Sequence, residues 1–372
     1  MEPFKNLINP ALVRGFAREL ARRGTDEAAF LALALPGLEA LELKARATHV
    51  AVALAGVLPT SFEDAAALLE LTLAPIDPDT HEPAEQAAGV KGWIVWPMTI
   101  YVATRGAGNP ERALQALHAM TQRFTSEWAI RTFVAEAPEI TFRVLQEWVR
   151  DPSPHVRRLV SEGTRPRLPW GLRLKALVAD PRPALPLLQA LRDDPSEYVR
   201  RSVANHLNDI AKDHPVLFAE LVHEWMQDAP ETRVRLLKHA SRTAIKAGDA
   251  RVLQAFGAHR PLRGHAKLQV SPVEIRLGEA VTLTLTLESS AKASQKLVVD
   301  YVVHHQKKGG TTTPKVFKGW TLELAPGERR TLVKKHSVRP ITTRTYYAGA
   351  HAVECLVNGR SVGRAPFVLA LA

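Results

Sequence analysis

The sequence predicts an all-α solenoid of helical repeats followed by an all-β sandwich. Three observations carry this. Apolar residues recur at helical spacing through residue 258, then every second position from about residue 267 onward. A helix–Asp-Pro–helix unit recurs within the first part. Charge is also split between the parts: residues 263–372 hold 17 Lys and Arg against 7 Asp and Glu, while the other 262 hold 32 against 31.

The chain of 372 residues is long enough for two cores. No stretch reaches the ~18 uncharged apolar residues of a membrane span, and the N-terminus lacks the apolar run of a secretory signal. Leu7, Ile8, Leu12, Phe16 and Leu20 fall at helical spacing instead. The one cysteine, Cys355, lies in an alternating apolar run and reads as a small buried residue rather than a reactive thiol. These features point to a cytoplasmic protein that does not use a membrane.

Helix starts recur along the first 258 residues. Thr60 and Glu63 have capping-box spacing, Asn109 precedes Pro110 at a first helical position, and Asp194-Pro195-Ser196-Glu197 opens "YVRRSVANHLNDIAK". Residues 75–92, polar and proline-rich, read as an exposed loop. "EITFRVLQEWVRDPSPHVRRLVSEG" and "ALPLLQALRDDPSEYVRRSVANH" align with Asp151-Pro152-Ser153 over Asp194-Pro195-Ser196, a period of 43 residues. A fainter copy, "VLFAELVHEWMQDAPETRVRLLKHA", follows. This is a HEAT-like pattern, in which each helix pair buries its apolar face only against its neighbours.

Residues 259–266, "HRPLRGHA", read as a linker, with the sandwich over 267–372. "AVTLTLTLES" alternates Val281, Leu283, Leu285 and Leu287 with threonines; further strands are expected in "KLVVDYVVHHQ", "VFKGWTLEL", "RRTLVKKHSV", "RTYYAGAHAVECLV" and "SVGRAPFVLAL". Asn358-Gly359 and 325–328 supply turns. About seven short strands make the sandwich Ig-like.

A helical wheel of residues 196–212 puts Val199, Val203, Leu207 and Ile210 on the core stripe. Arg201, Asn205, Asn208 and Lys212 lie opposite, with Asp209 on the flank. On residues 154–162 the same wheel buries Val156, Leu159 and Val160 and turns His155, Arg158 and Glu162 outward. Two readings remain at this point: a basic track for phosphates, or a solvated outer face. The stretch "RRLVSEGTRPRLPW" favours the first. It sets Arg165, Arg167 and Trp170 among Pro166 and Pro169, and stiffness, charge and an aromatic ring together suit nucleic acid. The alternative for Trp170 is a core residue at a repeat junction. Glu127 and Trp128 sit near a helix start, where a carboxylate is also favoured by the helix dipole. There is no GxSxG, P-loop, HExxH or zinc-finger spacing; His206 and His214 read as packing and turn residues. No metal or other cofactor is expected.

"PFKNLINPALV", "FTSEWAIRTF", "HVRRLVSEGTRPRLPW" and "DDPSEYVRRSVANHLNDIAKDHP" closely resemble the AlkC branch of the AlkC/AlkD bacterial DNA alkylation-repair glycosylases. Residues 267–372 resemble the Ig-like domain of its longer members. The resemblance implies excision of cationic 3-methyladenine and 3-methylcytosine from duplex DNA, the lesion being cut without flipping into a deep pocket. It implies that Asp209, Glu127 and Glu162 supply the carboxylates, with Asp209 first for positioning water. Trp170 and Trp128 would meet the lesion or backbone, and Arg158, Arg165, Arg167, Arg201 and Lys212 would hold phosphates. The basic sandwich would approach DNA with Lys307, Lys308, Arg329, Arg330, Lys334 and Lys335. A monomer is expected. The rival expectation is a HEAT-repeat scaffold or damaged-DNA-binding protein without catalysis.

Overall fold

The computed structural model describes residues 3–85 and 88–371. Among them, sixteen α-helices precede eight strands. The helices are α1 (Pro10–Ala21), α2 (Glu27–Ala34), α3 (Leu43–Val57), α4 (Phe62–Thr72), α5 (Val95–Arg105), α6 (Pro110–Thr121), α7 (Ile130–Glu136) and α8 (Pro138–Trp148). After them come α9 (Pro154–Gly163), α10 (Lys175–Ala179), α11 (Leu185–Leu191), α12 (Glu197–Asp213), α13 (Pro215–Trp225), α14 (Glu231–Ala240), α15 (Arg242–Lys246) and α16 (Ala250–Ala255). Contacts divide the chain into one unit running to Asp213 and including Glu231–Ala240, and a second made of His214–Pro230 and Ser241 onward. No single helix among the described residues is long and apolar enough to cross a membrane.

Local chemistry accounts for the helix starts. Asn9 Oδ1 accepts from Leu12 N at 2.9 Å and Asn109 Oδ1 from Arg112 N at 3.3 Å, each just before a proline. Asn9 also breaks the expected first helix in two. Leu7 closes a short 3-10 turn, and the buried stripe of α1 is Val13, Phe16, Ala17 and Leu20. The expected cap at Thr60 lies one residue on: Ser61 Oγ accepts from Asp64 N. Two isolated β-bridges fix the loop over residues 75–92, one from Leu73 just before it to Val90 and one between Ile76 and Pro83; its residues 86 and 87 lie outside the described set.

The repeats are built by their Asp-Pro turns. Asp151 Oδ1 accepts from Ser153 N at 2.8 Å, and Asp194 Oδ1 from Ser196 N at 2.9 Å, so both copies form the same turn before the second helix. The same carboxylates link neighbours. Asp194 receives Arg157 Nε at 2.7 Å and Nη2 at 3.0 Å, and Asp151 sits 2.7 Å from His118 Nε2. Arg157 and Arg200 also reach back to two carbonyls of their own turns. The Val-Arg motif therefore braces the repeat. Helix α12 lies between α9 and α14, which explains why burial spreads beyond its apolar stripe.

The second unit carries β1 (Gly264–Ser271), β2 (Glu274–Arg276), β3 (Ala280–Ser289), β4 (Gln295–Gln306), β5 (Thr312–Leu324), β6 (Arg329–Ser337), β7 (Gly349–Val357) and β8 (Arg360–Ala370). They form a three-stranded sheet, β1-β3-β6, and a five-stranded sheet, β2-β8-β7-β4-β5. Val281, Leu283, Leu285 and Leu287 are all fully buried on one face of β3. Each such side chain contributes about 1.5–3 kcal/mol. Gly264 already pairs with Ser289, so the last three expected linker residues are strand. Residues 344–348, expected as strand, lie outside one, and β7 starts at Gly349. Asn358 and Gly359 both take positive φ and join β7 to β8 as a tight hairpin. Cys355 is buried, and burial pushes its thiol up to about 12.

Candidate active site

Six side chains form a ladder of alternating sign: Glu127, Arg158, Glu162, Arg165, Asp209 and Lys212. Glu127 precedes α7, Arg158 and Glu162 are one turn apart on α9, Arg165 follows α9, and Asp209 and Lys212 are one turn apart on α12. Arg158 Nη1 pairs with Glu127 Oε2, and Arg158 Nη2 lies 3.7 Å from Glu162 Oε1. Arg165 donates from Nη1 to Glu162 at 2.5 Å and from Nε to Asp209 Oδ2 at 2.8 Å. Lys212 Nζ reaches Asp209 Oδ1 at 3.0 Å. The three carboxylates are only 7%, 5% and 1% exposed, so this is a desolvated array in which charge–charge terms are strong.

Neutral partners complete it. Thr125 Oγ1 donates to Glu127 Oε2 at 2.8 Å and accepts from Arg158 Nη1 at 2.9 Å. Ser202 Oγ sits 2.6 Å from Glu162 Oε2 and 3.0 Å from Ser161 Oγ, and the two small side chains face each other where α9 meets α12. Burial alone would raise the Glu162 carboxyl, but Arg158 and Arg165 outweigh it and hold the group below the usual range. Burial also opposes the charge on Arg158, and Glu127 and Glu162 more than restore it. Fully buried His206 sits 3.0 Å from the Ser161 carbonyl oxygen through Nδ1, and burial pushes it down to about 4.

The basic residues differ from the expected phosphate track in one respect. Buried Arg165 and half-buried Arg158 lie between carboxylates rather than being directed outward: α12 brings Asp209 within reach of the loop after α9, and Arg158 meets Glu127 and Glu162. Asn208, which the wheel put opposite the core, and Asp209, which it put on the flank, are also buried, at 4% and 1%. Arg167 pairs with Asp213 through two bonds of 2.7 and 2.5 Å. Arg201 is exposed on α12, and the Lys212 side chain is 44% exposed.

Beside the ladder stands an aromatic wall. Trp128 packs on Trp96 with centroids 4.7 Å apart and stacks with Trp170 at 6.5 Å and 24°. Trp93 and Phe124 lie 4.9 Å apart, and Phe4 meets both Trp93 and Trp170 edge-on. Trp128 is tied to the loop through Nε1, which donates to the Pro169 carbonyl at 3.2 Å. Trp170 is 59% exposed and has a left-handed φ of 63°, a conformation that a bulky side chain rarely adopts.

The loop is held by Arg131, which the sequence did not single out. Its Nη1 donates to the Gly163 and Arg165 carbonyls at 2.9 and 2.7 Å, and its Nε to Leu172 O at 2.6 Å. Arg131 is fully buried, and burial followed by the Arg165 charge pushes it down to about 10. Thr125, Ser202, Phe4, Trp93, Trp96 and Phe124 were also missed as site residues; only the close spacing of Trp93 and Trp96 was a visible signal.

In the sandwich, Lys307, Lys308, Arg329 and Lys335 are exposed. Arg330 pairs with Glu328. Lys334 donates to the Lys318 carbonyl at 3.0 Å and lies over the Tyr301 and Trp320 rings. Strand alternation places Arg330 and Lys334 on the opposite face of β6 from Arg329 and Lys335. Among the described residues, no group of three or more His, Cys, Asp or Glu side chains is placed to hold a metal ion.

Comparison with known proteins adds three findings. Residues 264–371 match the family described as "Uncharacterised protein YhaZ, C-terminal Ig-like domain". The chain is 36% identical over 321 residues to the uncharacterized protein YhaZ of Bacillus subtilis (strain 168), covering 86% of this chain and 85% of that one. It also matches the solved structure of the Pseudomonas fluorescens alkylpurine DNA glycosylase AlkC bound to DNA containing an abasic site analog. That likeness has a TM-score of 0.89 and 36% identity over 99% of this chain and 100% of the other.

Proposed function

The chain belongs to the AlkC family of DNA glycosylases, in the long form with a C-terminal Ig-like domain, and from that premise we propose that it excises cationic N3-alkylated bases, 3-methyladenine and 3-methylcytosine, from duplex DNA without flipping them. The observation that carries this reading is the set of three buried carboxylates, Glu127, Glu162 and Asp209, beside an aromatic wall that ends in exposed Trp170.

The chemistry suits that arrangement. A base alkylated at N3 is already cationic, so its bond to C1′ is weak and its departure needs little acid catalysis. The C1′–N bond breaks with its electron pair leaving on the base, which becomes neutral. Positive charge then builds on the deoxyribose. Preorganised carboxylates in a desolvated site stabilise that charge. Water adds its oxygen to C1′ and gives up a proton to a carboxylate and then to solvent. Asp209 is the first candidate for holding that water, with Glu162 and Glu127 completing the negative field. Trp128 and Trp170 present ring faces suited to a cationic base.

Release of methylated bases from duplex DNA treated with a methylating agent tests the reading. The wild-type protein should free 3-methyladenine, and Asp209→Asn should lower the rate by about a hundredfold or more. A wild-type protein that binds DNA but frees no base is a scaffold, and the enzymatic reading fails.

The sandwich is assigned a supporting role on charge. Lys307, Lys308, Arg329 and Lys335 would bind phosphates, the protein acting as a monomer on DNA in the cytoplasm. Replacing these four by glutamine should weaken DNA binding and lower its salt slope by about one unit for each phosphate no longer neutralised. An unchanged slope would remove the sandwich from the interface.

A further inference from the structure

The two oxygens of Asp209 are held by cations of different kinds. Oδ2 accepts from Arg165 Nε, and Arg165 is 8% exposed and pinned at its other end to Glu162. Its guanidinium cannot turn away without taking from each of two buried carboxylates its buried arginine partner. Oδ1 accepts from Lys212 Nζ, on a flexible side chain that is 44% exposed. This ammonium occupies the oxygen that a catalytic water, or the charge on a sugar, would need. An ammonium at a half-exposed site is held weakly and exchanges readily for another anion.

The geometry points to Lys212 as a cap on Asp209 that the DNA backbone displaces. A phosphate flanking the lesion draws the ammonium off Oδ1. Arg165 keeps the carboxylate in place, and Oδ1 turns to the reaction only when DNA is bound. The inference rests on the glycosylase reading above and assigns it a substrate-dependent step. Lys212 acts here through Asp209 and is a positioning residue.

The test crosses one protein change with one DNA change. Duplexes are prepared with the excised lesion between ordinary phosphodiester linkages, or between two neutral methylphosphonates. Single-turnover base release is measured for wild type and Lys212→Met, with thermal unfolding as a check on folding. In wild type, the methylphosphonates should slow the chemical step about tenfold or more, because the cap stays on. In Lys212→Met the same change should cost less than about twofold, since no cap remains to be removed. Lys212→Met should also bind ordinary duplex more weakly, with a salt slope lower by about one unit. An equal fractional loss in both proteins, or no loss in wild type, overturns the proposal and leaves the glycosylase reading standing. Failure of wild type to release a base from any duplex brings down that reading, and this inference with it.

Discussion

Arg131 and Arg165 meet through a 2.7 Å hydrogen bond from the guanidinium of the first to the backbone carbonyl of the second. Arg165 in turn separates Glu162 from Asp209. The position of the ladder therefore depends on a residue that touches none of its carboxylates. Arg131→Lys keeps the charge but cannot span the carbonyls of Gly163, Arg165 and Leu172. It should lower stability by about 2–4 kcal/mol, read by chemical denaturation, and lower base release more than DNA affinity. Wild-type turnover in Arg131→Lys would show that the staple is dispensable.

Trp170→Ala tests the other side of the site. The ring is 59% exposed, so its loss should change stability by only about 0.5 kcal/mol. Base release should fall while the melting temperature holds. Trp170→Gly, which also relieves the left-handed backbone at φ 63°, should be at least as stable and equally impaired. Retained activity in both variants would take the ring out of lesion contact.

Gly163 is required by packing. A Cβ there would come within 2.5 Å of Ile130 Cγ2, so Gly163→Ala should destabilise by about 1–3 kcal/mol. Combining it with Ile130→Leu should recover part of that loss, because leucine has no branch at Cβ and so lacks the clashing methyl. Strictly additive losses would place the effect elsewhere.

The second unit should be acid-sensitive. Burial pushes His305 down to about 3 and His336 down to about 4; Arg344 and neighbouring histidines act in the same direction on His305. Their folded pKa values lie below the ordinary 6.5, so between those limits the unfolded chain binds more protons. Stability is then full above about pH 6.5 and declines as pH falls toward 4, by up to about 1.4 kcal/mol per pH unit for each histidine. Urea unfolding from pH 7.5 to 4.5, followed by the fluorescence of Trp320, measures it. His305→Gln should flatten the slope; a pH-independent midpoint in wild type contradicts the prediction.

Helical spacing, the Asp-Pro-Ser copies at 151 and 194, and the alternation of β3 were legible because each is local: caps, turns and the two periods are set within a few residues. The three carboxylates of the candidate site were expected through resemblance. Their surroundings were not. A helical wheel assumes one buried face, and α12 has neighbours on two sides, so Asn208, which the wheel left outward, and Asp209, which it left on the flank, are both buried. Net charge likewise counts arginines without saying which are engaged. Arg158 looks the same in sequence as Arg201, yet the first lies between Glu127 and Glu162 and the second is exposed.

By itself, then, the sequence determined the fold class, helical repeats followed by a sandwich, and named the carboxylates of the candidate site. Only the tertiary structure decided that Glu127, Arg158, Glu162, Arg165, Asp209 and Lys212 make one ladder, and that Arg131 holds its loop. The reason is separation along the chain. Arg165 and Asp209 are 44 residues apart, and Arg131 and Arg165 are 34. No local propensity spans such distances. Desolvation at the meeting of α9 and α12 selects those pairings, because there a buried charge without a partner is costly.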